Sequence, residues 1–184
     1  MLIKIVDLIT EDELIESAWR LYEEAFQDLK SLAVQRHLMY RDEFDEVMRD
    51  SRVQKYLCFS DDGEELAGLS TYTNDLHAMP LIAPEYFARR WPEQYRQRKI
   101  WYCGFVAVSS ANRNRSAFTD LVEAMYLMAA NQNGIIALDF CRYNDQLRNM
   151  SRVIRLMLHR LSGGVQAECM DQQSFWVYEF PAAA

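Results

Sequence analysis

The chain has 184 residues, of which 50% are hydrophobic and 26% charged, with a net charge of -7. That length supports one full core and leaves a second domain cramped, so a single domain over 1–184 is expected. An acidic balance repels nucleic acid and anionic membrane surfaces, so neither is an expected partner, and any anionic ligand must be held by a local basic site.

The opening "MLIKIVDLITEDEL" is apolar only briefly before acidic residues interrupt it. It lacks the uninterrupted core and cleavage site of a signal peptide, and no run reaches the length of a membrane span. A cytoplasmic protein is expected. "LIKIVDLI" (2–9) is β-branched and reads as a strand. Thr10 and Glu13 follow with the spacing of a capping box, and Leu14, Ile15, Ala18, Leu21, Tyr22, Ala25 and Phe26 share one helical face. A shorter helix is expected through "RDEFDEVMRD" (41–50). "VQKYLCFS" (53–60) and "ELAGLSTYTN" (65–74), joined by "DDGE", read as a β-hairpin.

The stretch 75–98 is irregular and reads as a helical insert. Pro84 suits a helix start and Pro92 a helix end, with Tyr86, Phe87, Trp91 and Tyr95 set among arginines. "KIWYCGFVAV" (99–108) is the strongest strand. Gly104 inside it marks a bulge or a close backbone approach. Phe118, Leu121, Val122, Met125, Met128 and Ala129 then recur at helical spacing. "IIALDFC" (135–141) reads as a buried strand, and a helix carrying Leu147, Met150, Ile154, Met157, Leu158 and Leu161 is closed by Gly163 and Gly164. "VQAECMD" (165–171) and "SFWVYEF" (174–180) read as two final strands.

No two of the four cysteines, Cys58, Cys103, Cys141 and Cys169, are close in sequence, so a CxxC metal or redox site is excluded. Each falls in a run read as a strand and is expected as a small buried hydrophobe. No metal site is expected, and P-loop glycines and a serine triad are absent.

The turn "VAVSSANRNRSAF" (106–118) is the most informative stretch. A strand enters a helix through a segment carrying Arg113 and Arg115. Free N–H groups and the helix dipole favour an anion there. The two arginines sit near the positive end of that dipole, where cations are disfavoured unless a polyanion lies between them.

This turn, with the order β, α, α, β, β, insert, β, α, β, α, β, β, resembles the GCN5-related N-acetyltransferase (GNAT) superfamily. The resemblance covers nearly the whole chain. It implies an α/β (α+β) fold: a mixed, mostly antiparallel central sheet of about seven strands with helices on both faces. The family's Q/R-x-x-G-x-G/A loop falls on Arg113, Asn114, Arg115, Ser116, Ala117 and Phe118. Arg113 matches, whereas Ser116 replaces the first glycine and Phe118 the last small residue. By resemblance these residues through Ala117, with Val106, Val108 and Asn144, would bind acetyl-CoA or another acyl-CoA as co-substrate. The implied reaction is acyl transfer to an amine acceptor. Tyr102 occupies the position of the family's glutamate base, and His77 beside Asp75 is a second candidate catalytic group. The family's tyrosine acid is missing from the helix after "IIALDFC", which offers Ser151 instead. Two alternatives stay open. One is a long-chain N-acyl synthase served by acyl-CoA or acyl carrier protein, and the other a non-catalytic binding protein. A homodimer is expected only by analogy with relatives.

Overall fold

β-branched and aromatic residues in alternation build the centre of the protein, and the two faces they create are covered by different helices. The computed structural model describes residues 1–110 and 116–180. Five strands, β1 (Leu2–Val6), β2 (Gln54–Phe59), β3 (Leu66–Thr73), β4 (Ile100–Val108) and β5 (Ile135–Leu138), form one sheet in the order β1-β2-β3-β4-β5. The first four are antiparallel neighbours, and β4 pairs with β5 in parallel. The hairpin β2–β3 turns at Gly63, whose φ of 78° suits a residue without a side chain.

The helices are α1 (Asp12–Phe26), α2 (Leu29–Leu32), α3 (Arg41–Arg49), α4 (Pro84–Arg90), α5 (Pro92–Arg96), α6 (Ala117–Ala130) and α7 (Met150–Ser162). Proline at the first position starts both α4 and α5, so Pro92 ends one helix and opens the next. On one face of the sheet, Ile15, Ala18, Leu21 and Tyr22 of α1 and Phe44 and Met48 of α3 pack on Leu57, Leu69 and Ala107. On the other, Leu121, Val122, Met125 and Ala129 of α6 cover Tyr56, Cys58, Tyr72 and Trp101. Helices therefore cover both faces, as expected of the alternating strands.

Three expectations are corrected. First, α1 begins after Glu11, and the Thr10 N–H donates to the Glu11 carboxylate (3.3 Å), so no box forms between Thr10 and Glu13. Second, the sheet has five strands among the described residues rather than about seven. Residues 165–171 and 174–180 pair with no strand. The segment leaves α7 and spends its contacts on the insert. There Glu168 accepts from Arg90 at 2.6 Å, and Met170 packs beside the cluster around Phe87 and Tyr102. β5 is the last strand of the sheet among the described residues, and Trp176, Val177, Tyr178 and Phe180 are exposed. Third, only Cys58 and Cys103 are buried in strands; Cys141 is half-buried and Cys169 exposed, both outside the sheet. Among the described residues no helix is long and apolar enough to cross a membrane.

Lys55 is the one buried cation among the described residues. Its ammonium donates to the carbonyl oxygens of Asp7 (2.9 Å) and Asp50 (2.6 Å), which ties the exits of β1 and α3 to β2. Burial lowers its pKa to about 8 from an ordinary 10.5, against the opposing pull of Asp50 and Asp7. Between those two values the unfolded chain holds a proton that the folded chain does not, so stability rises with pH. Buried Cys58 and Cys103, whose thiol pKa values are raised, oppose that rise in any variant, so urea unfolding at pH 7.5 and 9.5 is expected to show a more positive change in stability in the wild type than in Lys55→Met.

Candidate active site

The site is set by how β4 meets its two neighbours. On the β3 side, Thr71 pairs with Phe105 and Tyr72 with Cys103, so Gly104 is an extra residue, a β-bulge. A Cβ on Gly104 would lie 2.6 Å from Thr71 Oγ1, which only glycine avoids. The extra residue inverts the alternation of the strand. Before it, Trp101 and Cys103 point to the α6 face, and Ile100 and Tyr102 to the opposite one. After it, Val106 and Val108 point to α6, while Phe105 and Ala107 face α1.

On the β5 side the ladder runs from Ile100↔Ile135 to Cys103↔Leu138 and stops there. Residues 104–108 continue without a β5 partner. The two strands part at the bulge and leave main-chain donors and acceptors of β4 facing a gap. A cleft of about 2360 Å3 runs along β5 and the segment that follows it, with Tyr102 as the β4 residue on its wall. His37, Tyr102, Asp139, Cys141 and Tyr143 line it, and Phe87 and Trp91 of the insert form part of its wall.

The Tyr102 hydroxyl donates to Asp139 Oδ1 at 2.7 Å. Burial raises the phenol's pKa, and the Asp139 carboxylate raises it further. Tyr102 is therefore a donor held on a carboxylate and is unsuited to act as a base. Burial also pushes the Cys103 thiol up to about 12, which removes it as a nucleophile at neutral pH.

His77 is exposed and lies outside this cleft. Its ring Nε2 meets the Tyr95 hydroxyl at 3.1 Å. The Asp75 carboxylate accepts the backbone N–H of His77 and approaches Arg98 at 3.7 Å, and no bond joins it to the imidazole. Val106 and Val108 lie on the parted half of β4. Ser116 precedes α6 with its hydroxyl donating to Asp120 at 2.7 Å, and Ala117 is buried at the helix start. Phe118 turns against the apolar cluster beneath α6. Asn144 sits in a single π-turn (Tyr143–Leu147) upstream of α7 and does not open that helix. Arg113, Asn114 and Arg115 lie outside the described residues.

Asp139 and His37 also reach the cleft, and no motif in the sequence marks either one. Asp139 follows a short strand, and His37 lies in the connection after α2, so only the fold brings them together.

No family model matches the chain, and no curated protein matches it. Solved structures do, at low identity. A probable acetyltransferase aligns with a TM-score of 0.57 at 12% identity, over 97% of this chain and 99% of its own. An acetyltransferase of the GNAT family from Listeria monocytogenes 4b F2365 aligns at 0.54 and 14% identity, over 83% and 84%. An aminoglycoside acetyltransferase from an uncultured soil metagenomic sample, in complex with sisomicin, aligns at 0.51 and 10% identity, over 96% and 97%.

The fold is that of the GNAT acetyltransferases. Within this GNAT fold the bulge at Gly104 has a specific energetic consequence. Gly104→Ala is expected to cost about 1–3 kcal/mol through the clash with Thr71. Thr71→Ala in the same chain removes the clashing oxygen, so the double variant should recover part of the loss. Urea denaturation of both single variants and the double variant measures the coupling.

Proposed function

We propose that this chain is an N-acyltransferase that moves an acyl group, acetyl in the first instance, from a coenzyme A thioester to an amine. The parting of β4 and β5 beyond Cys103 and Leu138 carries this reading. An extended pantetheine arm has amides spaced to pair with a free strand edge, and residues 104–108 offer one. The same edge can donate an N–H to the thioester carbonyl and stabilise the oxyanion as the tetrahedral intermediate forms. By the resemblance read in the sequence, Arg113 and Arg115 would be the cationic partners of the pyrophosphate.

The reaction needs a neutral amine. Its nitrogen attacks the carbonyl carbon, a C–N bond forms, the C–S bond breaks, and the sulfur leaves as a thiolate. A net charge of -7 attracts a cationic acceptor and gives no help to the anionic donor, so donor binding relies on the local arginines. A polyamine or aminoglycoside-like small molecule fits that balance. Ser116 and Phe118 in place of the loop's small residues, together with the 75–98 insert, favour a second reading, a long-chain N-acyl synthase fed by acyl-CoA or acyl carrier protein.

Calorimetric titration with coenzyme A, acetyl-CoA and a long-chain acyl-CoA tests both. Micromolar binding of acetyl-CoA is expected, with Arg113→Ala weakening it about tenfold, a loss of about 1.4 kcal/mol. Binding of the long-chain thioester alone would replace the first reading by the second. No binding of any of the three at millimolar concentration would overturn acyl-CoA use.

A further inference from the structure

The geometry points to His37 as the group that takes the proton from the acceptor amine, with the Tyr102–Asp139 pair as its electrostatic partner in the same cleft. This rests on the acyl-transfer reading above and adds a base that no sequence motif supplies. His37 lies between α2 and α3, far from the sheet in sequence, yet it lines the same cleft as Tyr102 and Asp139. Its placement is held from behind. The Tyr22 hydroxyl donates to the His37 carbonyl at 3.1 Å and accepts the Met39 N–H at 3.0 Å. Tyr22 is 1% exposed, and its ring lies 4.8 Å from Phe105 on the parted half of β4. Arg36, next in the chain, is bound by both carboxylate oxygens of Glu43 (2.5 and 2.7 Å) and donates to the Leu38 carbonyl at 2.7 Å. Hydrogen bonds thereby fix the segment to α1 and α3, and His37 lies on the wall of the cleft.

In the same cleft, Tyr102 holds Asp139 by its 2.7 Å bond, and the Asp139 carboxylate acts electrostatically on the His37 ring. Partial burial lowers the His37 pKa, and Asp139 opposes that fall. The ring is therefore neutral at pH 7 and free to accept a proton. The Tyr22 hydroxyl, from α1, and the Arg36–Glu43 pair, through α3, complete the ionisable groups packed around the segment. Cys141, Arg142, Tyr143 and Asp145 line the cleft beyond Asp139. The acceptor ammonium gives its first proton to solvent, which leaves the nitrogen lone pair to attack, and the imidazole takes the second proton from that nitrogen as the neutral amide forms. The C–N bond forms as the C–S bond breaks. The imidazolium, stabilised by Asp139, then yields its proton to the departing thiolate or to water.

Thiol release from acetyl-CoA, with sisomicin and spermine as acceptors, tests the assignment. His37→Gln is expected to lower kcat/KM by about 100- to 10,000-fold, the usual contribution of a general base, with acetyl-CoA affinity unchanged in calorimetry. Asp139→Asn should move the acidic limb of the pH–rate profile to lower pH, because the carboxylate that opposes desolvation is gone. Tyr102→Phe should lower kcat without raising KM for acetyl-CoA. The His37 imidazole followed by NMR provides a readout that needs no turnover. Its midpoint should lie below the ordinary 6.5 and fall further in Asp139→Asn. His37→Gln with wild-type kcat/KM, or a midpoint unmoved by Asp139→Asn, overturns this inference alone. A wild type that binds no acetyl-CoA, or binds it and acylates neither amine, removes the acyl-transfer reading and this inference with it.

Discussion

The close approach of Gly104 to Thr71 governs the geometry of the site. Because glycine has no Cβ, β4 can carry one extra residue against β3 without pushing the Thr71 hydroxyl aside. That extra residue has two effects. It reverses which face each later side chain of β4 occupies, and it lies where the β4–β5 ladder ends. Tyr102 and Phe105 consequently face the same side of the sheet, although an unbroken strand would place them on opposite sides. The gap that a thioester would enter and the polar pair beside it are products of one local irregularity.

The α1 face turns this gap into a walled site. Tyr22 packs within about 5–6 Å of Trp19, Phe26, Phe44 and Phe105, ring centre to ring centre. Its buried hydroxyl would be costly if left unpaired, and the backbone of residues 37 and 39 satisfies it. The same bonds that satisfy the hydroxyl therefore hold the 33–39 segment against the opening. Packing and site geometry are coupled here, since a change in the aromatic cluster would displace His37 without touching it.

The other side of the cleft is built differently. The insert contributes aromatic rings from α4, and the segment after α7 is held to it by the Arg90–Glu168 pair, both members of which are solvent-accessible. Exposed ion pairs stabilise weakly, so this wall is fastened less firmly than the α1 wall. The apolar residues 175–178 and 180 are exposed. The cleft therefore joins a wall held by buried hydrogen bonds, which bears His37, to one held by an exposed ion pair.

Much of this architecture is legible in the amino-acid sequence. Local periodicity locates β1 to β5, α1, α3, α6 and α7, because alternation and helical spacing follow from backbone geometry alone. Gly104 stands out for its missing side chain, and Pro84 and Pro92 for their fixed φ and lost donor. The same kind of signal misleads over the two final strands. β-propensity describes a segment that fits a sheet, but a strand exists only where a partner edge accepts it, and residues 165–171 contact α4 instead. Tyr102 stands out by position, yet its role as a donor depends on Asp139, 37 residues away. His37 carries no signal at all, since an isolated histidine in a connection has no pattern to read. The sequence by itself determined the elements, the paired faces and the resemblance to an acyltransferase fold, because these rest on contacts between near neighbours or on periodicity. Only the tertiary structure decided which side chains meet in the cleft, because a bulge changes strand phase and a buried hydroxyl selects its partners through space.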